Sequence, residues 1–465
     1  MDYNFSRVKR DNKLKRFLSK NPSRSLSLGF LFVILVGAFL LTLPISHNDG
    51  GWFSFIDALF TSTSAVCVTG LIVVGTAVEY SIFGQLVILF LIQIGGLGFM
   101  TIATLIFMLI GKRITLRERL LISESFNENH INGLVKLIKG VVSYTLIAEA
   151  IGAVLLAIPF AIEFGFWRGI YCGFFHSISA FCNAGFDLFG VAGAEYQGLT
   201  IFVSNAYVCL PIMLLIFMGG LGFSVHANLL NLHKKVKLLL HTKIVVIVSS
   251  VLVVLGALFY LLLEWNGAYA DLSVGDKILA SLFQSVTPRT AGYNTVDQAA
   301  LSDVSNCITI GLMFIGASPA STGGGIKTTT FFIALILILN SFTDKGDVNY
   351  QKEHITVTMI KKTLAIFSLA VITVFCSSIM ILFFERNNTE AEFNLLTVLF
   401  ESVSAFSTVG LTMGITPSLS VGSKLVLILV MFVGRTGPLT LGAAIVRANK
   451  KDTKIQYPPA KIMIG

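Results

Sequence analysis

The sequence predicts an all-α polytopic membrane protein. Four membrane-pore-membrane repeats are joined in one chain, giving eight transmembrane helices plus four re-entrant pore helices and loops around a pseudo-fourfold axis. Three observations carry the prediction. Over 465 residues the hydrophobic fraction is 54% against 13% charge, and the mean hydropathy is +0.81, outside the range of soluble domains. Apolar runs near the length that crosses about 30 Å of hydrocarbon recur, as at 26–43, 83–110 and 364–384. A short motif also returns four times in the same apolar setting.

The net charge of +9 invites a nucleic-acid reading, but no aromatic or glycine pattern accompanies the basic residues, so no nucleic-acid partner is expected. They cluster at Arg7–Arg16 before the first span and at Lys112/Arg113/Arg117/Arg119, Lys234/Lys235/Lys237, Lys361/Lys362 and Arg447/Lys450/Lys451/Lys454. The alternate connections lean acidic, through Asp49, Glu79, Glu163, Asp187, Glu264, Asp297, Glu385 and Glu390 among others. The positive-inside rule then puts both termini on the cytoplasmic side of a plasma membrane. The N-terminal apolar run is read as a permanent span, because it is long and lacks a small-residue cleavage site. The six cysteines, Cys67, Cys172, Cys182, Cys209, Cys307 and Cys376, have no metal or redox spacing and are expected to be reduced and buried.

The recurring motif is Phe-x-Ser-x-Ser/Thr, at Phe60/Ser62/Ser64, Phe175/Ser177/Ser179, Phe283/Ser285/Thr287 and Phe400/Ser402/Ser404. Each copy runs into a glycine through Val68-Thr69-Gly70, Asn183-Ala184-Gly185, Thr290-Ala291-Gly292 and Thr408-Val409-Gly410, the third arriving one residue early. Each sits between two apolar spans on a stretch too short to cross a bilayer, so re-entrant helices are expected at about 54–66, 169–181, 275–287 and 392–406. The pentapeptide GGLGF marks the second span of the first two repeats, at 95–99 and 219–223, with Gly316 and Gly434 in the corresponding places. Those glycines read as close packing or kinks. The resulting division is a basic tail 1–24, repeat one 25–111, a cytoplasmic loop 112–139, repeat two 140–232, a loop 233–242, repeat three 243–343, a loop 344–360, repeat four 361–449 and a tail 450–465.

Such loops suit a cation. A pore must replace the hydration shell with oxygens, and backbone carbonyls serve when unpaired chain lines a cavity. Glycine permits the backbone angles that aim successive carbonyls at one axis, helix C-termini add partial negative charge, and the Ser/Thr hydroxyls can tie each loop back to its helix.

With these loops the chain resembles the Trk/Ktr/HKT superfamily of potassium transporters over about 25–447. With only a short basic tail before the first span, it is most similar to the membrane subunit of the Ktr system. The resemblance implies potassium uptake, with K+ held at the twelve loop residues just named as the selectivity filter. Glycine in all four loops, Gly70 in the first included, accompanies potassium preference in the family. It also implies a homodimer resting on a cytosolic ring of RCK/KTN-type nucleotide-binding subunits, no nucleotide bound by this chain, and Na+ as a candidate activator. Membrane lipid is a further partner by charge.

Repeat three alone is expected to be broken in its second span, at 316–330, where proline and three consecutive glycines oppose a helix. A phosphate-binding loop is excluded there, since Ile326 separates the last glycine from Lys327 and no strand precedes. The resemblance makes this segment an intramembrane gate, with Gly316, Ala317, Ser318, Pro319, Ser321, Thr322, Gly323, Gly324, Gly325 and Lys327, Lys327 lying toward the cytoplasm or snorkelling to it. Arg435, a mid-span cation, joins the gate by the same resemblance as a positive barrier, or is neutralised by a carbonyl of that loop. Arg289 is read as a brace for the third loop, and Glu149 and Glu401 as hydrogen-bonded structural acids, with a pore-vestibule role open for Glu401. Three alternatives remain. A sodium-permeable or weakly selective cation transporter of the same superfamily shares every feature. A membrane-embedded enzyme lacks a catalytic cluster, and a coupled organic-solute transporter lacks inverted repeats and acidic spans.

Overall fold

The computed structural model describes residues 22–109, 134–190, 198–231, 237–342, 348–351, 353–438, 440 and 442. Residues 1–21, the Lys112–Arg119 cluster, Lys234/Lys235, the Arg447–Lys454 cluster and the tail 450–465 lie outside these described residues.

One succession of helices occurs four times. It begins with a long helix α1 (Pro22–Thr42), a short helix α2 (Phe55–Cys67) and a pair α3 (Ile82–Leu97) and α4 (Phe99–Leu109). The same order follows in α5 (Leu134–Phe164), α6 (Phe166–Phe181), α7 (Ala206–Leu221) and α8 (Phe223–Leu230). Next come α9 (Leu240–Leu263), α10 (Val274–Val286), α11 (Asp303–Phe314) and α12 (Thr328–Ser341). After a small hairpin of Asn349–Tyr350 and Glu353–His354, the chain ends its described part in α13 (Val357–Glu385), α14 (Leu395–Ser407) and α15 (Val421–Thr436). The short helices fall within a few residues of the stretches expected to be re-entrant.

Local chemistry sets these boundaries. Ser81, Ser302 and Ser420 cap α3, α11 and α15 by accepting from the backbone N–H three residues on, and Asn394 with Thr397 forms a capping box on α14. Two of those caps are themselves held by a carboxylate at the end of the preceding long helix. Glu264 accepts from Ser302 Oγ at 2.6 Å and from the Ser302 N–H at 3.1 Å, and Glu385 accepts from Ser420 Oγ at 2.6 Å and the Ser420 N–H at 2.8 Å. Burial pushes the Glu264 carboxyl up, but the hydroxyls of Ser302 and Ser305 and two N–H groups outweigh it and hold it below the ordinary glutamate value.

The eight expected spans are not all unbroken helices. Among the described residues four helices are long and apolar enough to cross a membrane, at Arg24–Thr42, Ile138–Phe164, Leu240–Leu263 and Val357–Glu385. Each is the first helix of its unit. The second helix is interrupted in every unit, not in the third alone. Gly98, Gly222 and Gly437 end α3, α7 and α15 with φ of 81°, 93° and 83° and ψ near 140°, a conformation open to glycine and strained for other residues. At Gly222 the axis turns by 98° between α7 and α8. In unit three the interruption widens to the whole segment between Phe314 and Thr328.

The outer faces carry bare apolar side chains, among them Phe32, Phe39, Phe90, Leu262 and Phe375, as expected where lipid replaces water. The cysteines are all free. Cys307 and Cys376 are exposed rather than buried, because they stand on these outward faces of α11 and α13.

The break glycines differ in what surrounds them, which makes a test. A Cβ on Gly98 would meet nothing within 4 Å, whereas on Gly222 it would fall 2.5 Å from the Pro319 carbonyl oxygen. Gly98→Ala should cost about 1–2 kcal/mol of backbone strain alone. Gly222→Ala should lower the thermal midpoint of the detergent-solubilised protein further, and equal shifts would contradict the packing argument.

Candidate functional site

The site is built where α2, α6, α10 and α14 end. Each ends in a residue forced into the left-handed region, Val68, Asn183, Thr290 and Thr408 with φ of 58°, 59°, 74° and 52°, and two residues later comes a glycine at φ 91°, 70°, 80° or 92°. The same conformation appears in all four loops, including the third, which is one residue shorter between its Phe-x-Ser and its glycine.

The four glycines close a cycle. A Cβ built on Gly70 would fall 2.5 Å from the Ala184 carbonyl oxygen, and on Gly185 2.5 Å from that of Ala291. On Gly292 it would strike the Val409 oxygen, and on Gly410 the Thr69 oxygen, closer still. Each loop thus packs its glycine against the middle carbonyl of the next loop, and the fourth returns to the first. No side chain fits at any of the four positions without moving backbone.

Hydrogen bonding within each loop runs backward to its own helix. The N–H groups of Thr69, Ala184 and Val409 donate to the carbonyls of Ser64, Ser179 and Ser404 at 2.8–2.9 Å, and Ala291 N–H donates to Thr287 O at 3.0 Å. The last hydroxyl of each motif completes the tie. Gly70 and Gly410 donate to Ser64 Oγ and Ser404 Oγ at 3.0 and 3.1 Å. Ser179 and Thr287 instead donate to the carbonyls of Phe186 and Tyr293, one residue past the glycine. With the donors so used, the carbonyls of Thr69, Gly70, Ala184, Gly185, Ala291, Gly292, Val409 and Gly410 accept no hydrogen bond from the described residues. Buried backbone oxygens are seldom left this way.

The first serine of each motif has a role that the sequence did not disclose. Ser62, Ser177 and Ser285 donate to the carbonyls of Ile34, Glu149 and Val253 at 2.6–2.7 Å, hanging each short helix from the long helix before it. Gly37, Gly152 and Gly256 make room, since a Cβ at any of them would collide with that serine's Oγ. In unit four Ser377 stands in the glycine's place and donates to Val374 O itself at 2.9 Å, which leaves Ser402 Oγ buried and without a partner. The recurrent small residue three positions after the carbonyl was the available signal.

Beneath the cycle lies the segment between α11 and α12. Ser318 and Thr322 donate their N–H groups to Gly220 and Gly219 oxygens at 3.0 and 3.3 Å, and Ala320 O accepts from Phe223 N–H at 2.9 Å, so the segment is docked on the break between α7 and α8. A Cβ on Gly323 would strike Thr290 Oγ1, and one on Gly324 would strike Thr408 Oγ1. The run of three glycines therefore passes directly against two of the left-handed residues above. Asn183 and Thr290 side chains meet at 3.1 Å in the same layer.

Two cations grip this segment. Lys327 Nζ folds back to donate to Gly323 O at 2.6 Å and Gly324 O at 3.4 Å, so it caps the loop rather than snorkelling away. Arg435 donates to Thr322 O and to Gly95 O. Its position corresponds to Gly96 and Gly220 in the other breaks, and the guanidinium joins the segment to unit one. Gly316 packs against Gly324 and Gly325, Thr328 Oγ1 donates to Ser318 Oγ at 3.1 Å, and Ser321 Oγ donates to Ser318 O at 2.6 Å. Ala317 is buried.

The remaining acids have partners away from the cycle. Glu149 accepts from Gln93 Nε2 at 3.3 Å and lies 3.8 Å from Cys182 Sγ. Glu401 accepts from Thr416 Oγ1. Outside the sequence reading altogether is an ion pair of Lys424 on α15 with Asp57 on α2, at 2.7 Å, which ties unit four to unit one.

Comparison with known proteins places this arrangement. The family model described as TrkH, cation transport protein, matches residues 6–454. The chain is 39% identical over 456 residues to the Ktr system potassium uptake protein B of Bacillus subtilis, covering 98% of this chain and 99% of that protein. It is 38% identical over 451 residues to the potassium/sodium uptake protein NtpJ of Enterococcus hirae, covering 96% and 97%. The crystal structure of the potassium transporter TrkH from Vibrio parahaemolyticus shares the fold, with a TM-score of 0.67 at 18% identity over 96% of this chain and 87% of that one. The chain belongs to the TrkH family of cation transport proteins. These relatives are transporters, which sets aside the enzyme alternative.

The serine ties predict unequal costs. Ser177→Ala should lose one buried hydrogen bond, about 1 kcal/mol, while Ser402→Ala should be near neutral. Thermal midpoints of the two variants measured side by side check this, and a larger loss at Ser402 would refute the assignment.

Proposed function

We propose that this chain carries potassium ions across the plasma membrane as the ion-translocating subunit of a Ktr-type system. The observation that carries the reading is the closed cycle of four glycine loops whose carbonyls receive no hydrogen bond. The loops Val68–Gly70, Asn183–Gly185, Thr290–Gly292 and Thr408–Gly410 form a selectivity filter around a pseudo-fourfold axis. A dehydrating K+ exchanges water oxygens for these carbonyls, and the C-termini of the four short helices supply partial negative charge from behind. Because N–H groups of each loop are committed to its own helix, the carbonyls need no rearrangement to meet the ion.

The segment from Gly316 to Gly325 is the gate. It lies across the exit from the filter, against Thr290 and Thr408, with Lys327 and Arg435 holding it in place and adding positive charge below the filter. Passage requires it to leave that position. The curated relatives named for potassium uptake, similar along nearly their whole lengths, support this substrate. A homodimer on a cytosolic RCK/KTN-type ring, with both termini cytoplasmic, belongs to the same proposal, as does Na+ as an activator.

Expression in bacteria lacking their own potassium uptake should restore growth at low potassium. Gly185→Asp or Gly292→Asp should reduce rubidium uptake to the level of cells without the protein, and full uptake by either would sink the filter assignment. Deleting 317–325 should raise flux and weaken discrimination against sodium. Unchanged flux would remove the gate.

A further inference from the structure

The residue just before the left-handed position is Cys67, Cys182, Arg289 or Ser407 in the four loops, and all are buried. This slot faces a break in the preceding unit. A Cβ on Gly96 would fall 2.5 Å from Cys182 Sγ, and one on Gly325 would fall 3.2 Å from Ser407 Cβ. Arg289 meets Gly220 across a small cavity that is otherwise lined mainly by Ile216, Leu221, Val286, Ser249 and Ala317. Gly96 and Gly220 are the same residue of GGLGF. One seam therefore holds a thiol where the other holds a guanidinium.

Packing does not call for that charge, since a cysteine fills the equivalent slot against Gly96. Nor is the charge compensated. Arg289 is 7% exposed, and its only side-chain hydrogen bond among the described residues is from Nη2 to Ser249 Oγ at 3.2 Å. Its Nη1 is buried without a partner. The ion pairs among the described residues are His47–Glu79 and Lys424–Asp57, and Glu149 and Glu401 are engaged elsewhere. Lys327 and Arg435 spend their donors on carbonyls of the gate segment, whereas Arg289 keeps a free N–H beside Ala317 of that segment. A buried unpaired cation is expensive and acts over several ångströms in a medium of low dielectric.

We propose that Arg289 is a rate-limiting brake, whose uncompensated charge, one residue before Thr290, raises the barrier for a cation leaving the third loop. The inference rests on the filter and gate proposed above. It differs from bracing, in which the side chain only holds the loop's shape.

Rubidium uptake into proteoliposomes, per mole of protein, separates the two. Arg289→Gln should raise the maximal rate several-fold with little change in KM and with sodium still rejected, while Arg289→Lys should stay near the unsubstituted rate. Ser249→Asp keeps the arginine and sets a carboxylate at its bonded partner's position, so it should raise the rate as Gln does, and it serves if Arg289→Gln fails to fold. Unchanged rates in both neutralised forms overturn the proposal, as does equal loss of rate and selectivity in the Gln and Lys variants, the outcome of bracing. If the unsubstituted protein takes up no rubidium, the transport reading falls and this inference with it. Normal uptake with indifferent variants sinks the inference alone.

Discussion

Everything in this molecule depends on the absence of four β-carbons. Gly70, Gly185, Gly292 and Gly410 each lie under a carbonyl of the neighbouring loop, and a methyl group at any one would push that carbonyl out of line. Because the contacts form a cycle, displacement at one position is passed around it. The short helices, their hydroxyl ties and the long helices from which they hang serve to keep four backbone turns in one geometry. Their precision is a property of packed serines and glycines, which leave few rotamers to sample.

The four units are alike in their loops and unlike below them. All four loops share one backbone conformation, yet the break in the second helix is a bare glycine in units one and two, a long docked segment in unit three and a glycine flanked by Arg435 in unit four. Under the function proposed above, binding a dehydrated ion from all sides favours symmetry, whereas obstructing a path needs a single obstacle and something to hold it. Buried hydroxyls without partners among the described residues occur in all four units, at Thr69 and Thr76, at Thr145, at Thr242, Tyr269 and Thr295, and at Ser402, Ser407 and Thr408.

Much of this was legible in the sequence, because a repeat multiplies a weak signal. One Phe-x-Ser followed by glycine means little, but four copies between apolar runs located the short helices within a few residues and gave every loop position. The third unit's interruption was legible for a different reason, since Pro319 and Gly323 to Gly325 cannot continue a helix. The other interruptions were not. Gly98, Gly222 and Gly437 resemble ordinary packing glycines, and a positive φ leaves no trace in composition. The ties from Ser62, Ser177 and Ser285 were equally hidden, because they join residues about 30 apart that only the helix pairing brings together. Cys307 and Cys376 misled for a membrane-specific reason: apolar side chains turn outward as readily as inward when the solvent is lipid.

The ion pair of Lys424 with Asp57 and the reach of Arg435 to Gly95 lie on the one seam of the ring whose two sides are not consecutive in sequence. During synthesis three quarters of the ring can be inserted while its opening faces lipid or a neighbouring protein, and closure waits for the last helix. A chain ending before residue 424 would therefore carry all four loops but lack the ties of Lys424 to Asp57 and of Arg435 to Gly95 across this seam. Asp57 would then stand at that edge without its lysine.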